Sequence, residues 1–147
     1  MYVRGMIKMA KTAVIYATKT KHSKKLAEAI GSALDVKAQS ILDNPILTDV
    51  ELLFIVGGIY GGESLPALIE YLKGLDVSTL KRAALVTSCA SGKQKQAAAR
   101  EVLEQKGIAV VDEFVCKGAL LFVAATHPNS KDINSAKDFA LKIASQE

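Results

Sequence analysis

Thr18-Lys19-Thr20-Lys21-His22-Ser23 places three hydroxyls and two ammonium groups within six residues. Such a set offers hydrogen-bond donors and positive charge to one anion. A short apolar run rich in β-branched residues, Ala13-Val14-Ile15-Tyr16-Ala17, precedes it and predicts a buried strand. Leu26, Ile30 and Leu34 follow at four-residue spacing, with Ala27, Ala29 and Ala33 around them, and predict a helix. A loop entering a helix exposes unpaired N–H groups and the positive end of the helix dipole, which suits a phosphate. The segment is therefore a candidate site for the phosphate of a mononucleotide-type cofactor. Taken alone, it is equally consistent with Ser23 acting as a helix cap beside solvated hydroxyls. Neither G-x-x-x-x-G-K-[ST] nor G-x-G-x-x-G occurs, so hydroxyls and backbone must hold the phosphate without a glycine cradle.

Two further loops carry unusual residues. Leu52–Val56 is the most hydrophobic stretch and predicts a central parallel strand buried on both faces. It runs into Gly57-Gly58-Ile59-Tyr60-Gly61-Gly62-Glu63, expected as a glycine-rich loop, after which Ser64 caps a helix with Pro66 in its first turn. Leu68, Ile69 and Leu72 form that helix's apolar stripe, and Gly74 ends it. Arg82–Ser88 predicts a strand leading into Cys89-Ala90-Ser91-Gly92. Val36–Ile41 reads as an edge strand, with Asp43-Asn44-Pro45 as a turn. The pattern predicts a helix over 93–106 with Ala97, Ala98, Val102 and Leu103 inward and Gly107 closing it. Ile108–Val115 is expected as a strand, with Ala119–Ala124 as another or its continuation. A last helix follows His127-Pro128-Asn129-Ser130 and directs Ile133, Ala136, Ala140 and Ile143 to the core.

Alternating strands and helices at this spacing predict an α/β fold: a three-layer, doubly wound sandwich around a five-stranded parallel sheet of order 2-1-3-4-5. Ligands of such sheets bind beyond the carboxyl ends of the strands, where strand order reverses. The loops at 18–23, 57–63 and 88–92 are those that follow the first, third and fourth strands.

The chain has 147 residues, half of them apolar, enough for one domain with a sizeable core. Its longest apolar runs, Leu52–Ile59 and Ala119–Ala125, are too short to span a membrane. The apolar run after Lys11 stops at Lys19, unlike a secretory signal, and Cys89 and Cys116 suit a reduced, cytoplasmic setting. Met1–Ala10 is expected to be a frayed leader or the start of the first strand, with Met6 or Met9 as another start, and 11–147 the domain. The net charge of +4 is local: residues 1–25 hold seven basic side chains and no acidic one, while the remainder is −3. The basic stretch lacks the interleaved aromatics of a nucleic-acid surface, so an anionic ligand or an acidic partner protein is the simpler reading. His22 and His127 are the only histidines, which makes no metal cluster. A phosphorelay receiver needs an acceptor Asp at the end of its third strand, where this chain has Gly57-Gly58.

The sequence resembles the flavodoxin family. The resemblance rests on Tyr16-Ala17-Thr18-Lys19-Thr20-Lys21-His22-Ser23 followed by Ala27, on Gly57 to Glu63, and on His127-Pro128-Asn129 with Asp132. It implies FMN, with the phosphate held by Thr18, Thr20 and Ser23 in a loop that also includes Lys19, Lys21 and His22. It further implies a flavin ring between Gly58, Ile59, Tyr60, Gly61 and Gly62 on one side and Ser88, Cys89, Ala90 and Gly92 on the other. Tyr60 would lie against one ring face, and Gly61 or Gly62 could flip its peptide on reduction, because glycine tolerates both signs of φ. The family usually has Gly at Lys21 and Asn at His22, and its members are usually acidic. The resemblance implies an electron carrier, a monomer or weak homodimer, that serves redox partner proteins. The alternatives are an FMN-dependent oxidoreductase of quinone or protoporphyrinogen type, or a binding module of this fold that has lost FMN. Lysines near the flavin should give a less reducing carrier than an acidic flavodoxin, although salt screens much of their effect.

Overall fold

A computed structural model of the chain describes residues 11–18, 21–60, 63–89, 95–117 and 130–146. In chain order the elements are β1 (Thr12–Ala17), α1 (His22–Leu34), β2 (Ala38–Ser40), a 3-10 turn (Ile41–Asp43), β3 (Leu52–Tyr60) and β4 (Glu63–Ser64). These are followed by α2 (Pro66–Lys73), β5 (Arg82–Cys89), α3 (Ala97–Gln105), β6 (Ala109–Lys117) and α4 (Ser130–Ser145). The sheet order is β2-β1-β3-β5-β6, and all four pairings are parallel. With the two-residue β4 set aside, this is the expected 2-1-3-4-5 order.

Side-chain alternation along the strands builds one core on each face of the sheet. Val14, Phe54, Val56, Ala84 and Val86 pack with Leu26 and Ile30 of α1 and Ala136, Ala140 and Ile143 of α4. Ile15, Leu53, Ile55 and Leu85 pack on the other face with Leu68 and Leu72 of α2 and Ala99, Val102 and Leu103 of α3. Every residue of Leu52–Val56 is fully buried, as a central strand covered on both faces requires.

Several boundaries differ from the sequence pattern. β3 continues through Gly57-Gly58-Ile59-Tyr60, because Gly57 and Gly58 pair with Thr87 and Ser88 while Ile59 and Tyr60 turn back onto Ser64 and Glu63. Ser64 therefore belongs to the short hairpin, and Leu65 occupies the cap position of α2 without a side-chain cap. The edge strand β2 has only three residues, since Ile41 already enters the 3-10 turn. In α3, Ala97 and Ala98 are exposed and Ala99 faces inward. Gly74 ends α2, and Gly107, with φ of +81°, sits just past the cap of α3 in a backbone region that disfavours other residues.

One irregularity interrupts the β5–β6 ladder. Ala83 opposes Val110 but Ala84 opposes Asp112, so Val111 is an extra, bulged residue. A one-residue shift exchanges the faces of everything beyond it. The bulge sends Phe114 and Cys116 to the α1/α4 core and turns Glu113 toward α3.

Candidate functional site

β1 ends at Ala17, level with Gly57 and Thr87, beyond which β3 and β5 run on to Tyr60 and Cys89. Ala17, Gly57 and Thr87 lie in one row across β1, β3 and β5, and Gly58 opposes Ser88 in the next. The chain leaves β1 for α1 on one face and β3 for α2 on the other, so strand order reverses between them. Thr18, Gly58 and Ser88 thus begin their segments along the same edge of the sheet. Of the residues expected at this site, Thr18, Lys21, His22, Ser23, Gly58, Ile59, Ser88 and Cys89 are described, as is the Tyr60 backbone. Lys19, Thr20, Gly61, Gly62, Ala90 and Gly92 lie outside the described residues, as do the Tyr60 side chain and the segments 1–10 and 118–129.

Ser23 is not a helix cap. The cap position of α1 is Lys21, whose carbonyl accepts from the Lys25 N–H at 3.0 Å and whose side chain makes no capping bond. Ser23 lies within the first turn, 1% exposed, and its Oγ is buried without a hydrogen-bond partner among the described residues. A buried hydroxyl in that state is costly and calls for an acceptor or donor. Beside it stand the first N–H groups of α1, a first turn without acidic residues, and the exposed side chains of Lys21, Lys24 and Lys25. This donor set fits a phosphate dianion. His22 is held below its ordinary pKa, first by burial and then by the positive charge of Lys25. Neutral at physiological pH, it can still donate one N–H.

Cys89, 2% exposed at the end of β5, is a buried small residue. Cys116, also buried, has a thiol pushed up to about 12 by burial, with smaller contributions from Asp132 and Cys89. Cys116 opposes Ser88 in the ladder, so alternation points it to the face opposite Cys89, and the two are not joined in a disulfide.

Two features of this end of the sheet had no clear signal in the sequence. The first is a cavity of about 450 Å³ on the α2/α3 side, lined by Ile59, Glu63, Ser64, Pro66, Ile69, Lys95, Ala97 and Ala98 among others. Ala97 and Ala98, expected in the core, form part of its wall. The second is a buried polar cluster. The side chain of Glu113 is 1% exposed, and its Oε2 accepts from Thr87 Oγ1 at 2.6 Å and from the Gln96 N–H at 2.8 Å. Its Oε1 pairs with Arg100 at 3.1 Å. The two adjacent carboxylates of VVDEFVC, Asp112 and Glu113, in a strand otherwise apolar over that stretch were the one available hint. Among the described residues no cluster of side chains could hold a metal, and no helix is long and apolar enough to cross a membrane.

No family model matches the chain. An uncharacterised protein of Methanocaldococcus jannaschii is 26% identical over 136 residues, covering 84% of this chain and 90% of that protein. Among solved structures, a flavodoxin from the domain Archaea superposes with a TM-score of 0.70 at 19% identity, covering 91% of this chain and 96% of that one. Oxidised flavodoxin 2 from Bacillus cereus gives a TM-score of 0.70 at 18% identity, over 92% and 98% of the two chains. With the strand order and the two-faced core, these likenesses establish that the chain has the flavodoxin-like fold.

Proposed function

We propose that this chain binds FMN at the carboxyl ends of β1, β3 and β5 and serves as an electron-transfer protein for redox partner proteins. The observation that carries the reading is the buried Ser23 Oγ, unpartnered among the described residues, in the first turn of α1 at the edge where strand order reverses. When bound, FMN would supply reversible acceptance and release of electrons. The chain's own part is to hold and surround it. Thr18, Thr20 and Ser23 would donate hydroxyls to the phosphate, with the α1 N–H groups completing the shell. The segments beginning at Gly58 and Ser88 would flank the ring, with Tyr60 against one face. Exposed Lys21, Lys24 and Lys25 would make the cofactor less reducing than in an acidic protein of this fold and favour an acidic partner.

Absorption and fluorescence spectra of the purified protein, before and after FMN is added, test the reading. Flavin bands that shift and lose fluorescence support it. Absence of binding at micromolar FMN refutes it. Potentiometry tests the poise: a midpoint potential as negative as that of acidic flavodoxins refutes the lysine effect.

The cavity beside Ile59 and Lys95 favours one second reading, an FMN-dependent oxidoreductase with a small organic substrate. Multiple turnovers of a quinone by the flavin-loaded protein and a nicotinamide reductant would distinguish that enzyme from a carrier.

A further inference from the structure

We infer that Glu113 is a positioning residue that fixes the two ring-flanking segments through Gln96 and Thr87, an inference that rests on the FMN reading above. Gln96 is fully buried and immediately precedes α3. Its Nε2 donates to Thr87 Oγ1 and to the Val86 carbonyl, each at 3.1 Å, and reaches the Ile55 carbonyl at 3.4 Å. One carboxamide therefore ties β3 and β5 together at Ile55, Val86 and Thr87, one to three residues before Gly58 and Ser88. Its Oε1 lies 2.8 Å from where a Cβ on Gly57 would stand, so glycine at 57 makes room for the plug. Glu113 holds the plug from the other side. It accepts from the Gln96 N–H, at the cap position of α3, and from the Thr87 hydroxyl, which it orients.

A merely structural role accounts poorly for this cluster. Apolar side chains of similar volume would stabilise the same space at least as well as a buried ion pair. Arg100, the cation of the pair, is one-third exposed, which weakens its compensation of the carboxylate. The bulge at Val111 turns the carboxylate to the α3 face rather than the α1/α4 face, and bulges recur next to functional sites where they re-aim a side chain. A fully hydrogen-bonded carboxylate instead gives directional rigidity, which a ring-binding edge needs and an apolar core does not supply.

The test uses the full-length protein and two variants, Glu113→Gln and Thr87→Val. The first keeps the shape but turns one acceptor toward donors as an amide, and the second removes only the hydroxyl link. Three readouts are compared: the FMN dissociation constant, the midpoint potential of the bound flavin, and hydrogen exchange at the Gln96 amide in apoprotein. The expected result is FMN binding weakened about tenfold or more, a shifted potential and faster Gln96 exchange, with circular dichroism unchanged. If Tm falls while affinity and potential stay at wild-type values in either variant, the positioning role is overturned. Failure of the wild-type protein itself to bind FMN would refute the proposed function. With wild-type FMN binding intact, unchanged exchange at Gln96 in the variants overturns the positioning role alone.

Discussion

Ser23→Ala should make the apoprotein more stable and the FMN complex weaker. The Ser23 hydroxyl is buried, touches almost no solvent and has no hydrogen-bond partner among the described residues. A buried, unsatisfied hydroxyl costs about 1–3 kcal/mol, and alanine removes that cost without a cavity larger than one oxygen atom. Alanine also has the better helix propensity, by about 0.5 kcal/mol in a helix interior and less in a first turn. The two effects share a sign, so a gain of about 1–3 kcal/mol is expected, or about 2–10 °C in Tm for a domain of this size. With FMN bound the sign reverses, because a hydrogen bond to a charged phosphate contributes about 1.5–3 kcal/mol and its loss weakens binding about 10- to 100-fold. Urea unfolding of both apoproteins, with FMN titrations followed by fluorescence quenching, measures both limbs. A Ser23→Ala apoprotein less stable than wild type would refute the account of an unsatisfied hydroxyl. Unchanged FMN affinity would refute its assignment to the phosphate.

Three further outcomes follow from other positions. Gly31→Ala in α1 gains about 1 kcal/mol of helix propensity, but its Cβ would stand 2.5 Å from the Val36 carbonyl oxygen and 3.2 Å from the Ala38 nitrogen. Backbone cannot swing aside as a side chain can, so a net loss of about 1–3 kcal/mol is expected in urea unfolding, and a stabilised variant would contradict the close approach of α1 to β2. The Cys116 thiol, pushed up by burial first, remains protonated in the fold when the unfolded chain ionises. Stability should therefore fall as pH rises from about 9 toward 12, and Cys116→Ala should remove part of that slope. For His22 the sign is opposite in pH: its depressed pKa favours the neutral fold, so the stability it contributes above the unfolded value of 6.5 is lost as pH falls through the folded value. Lys25→Gln should move the His22 titration upward in NMR, part of the way to 6.5, because burial is the larger cause.

The fold was legible wherever burial was total. Val14-Ile15 and Leu52–Val56 are fully buried, and composition alone marks them as strands. The glycines at 57 and 58 misled because strand propensity counts them as breakers, while ladder bonds to β5 and the return to β4 hold them extended. Ala97 and Ala98 misled differently: alanine is small enough to suit either face of a helix, so its side is set by where Gln96 anchors the first turn. The anchor itself was hidden by the bulge at Val111. Strict alternation along β6 would place Glu113 with Phe114's present face, and no local signal announces a one-residue shift. The phosphate segment was legible by its hydroxyl chemistry, but Ser23's burial depends on how α1 packs and cannot be read from spacing.

The all-parallel ladder of the five main strands also constrains how the chain is made. No two of these neighbours can be joined by a tight hairpin, so each pairing waits for an intervening crossover to be synthesised. As translation proceeds, β1 and β3 can pair once Leu52–Val56 has emerged, but the second edge of β3 has no partner until Arg82 and the residues after it appear. During that interval the most apolar strand presents an open edge, the arrangement most prone to intermolecular pairing. Slow refolding and losses to aggregation at high protein concentration should therefore arise at the docking of β5 onto β3, with α1 and β1 already in place.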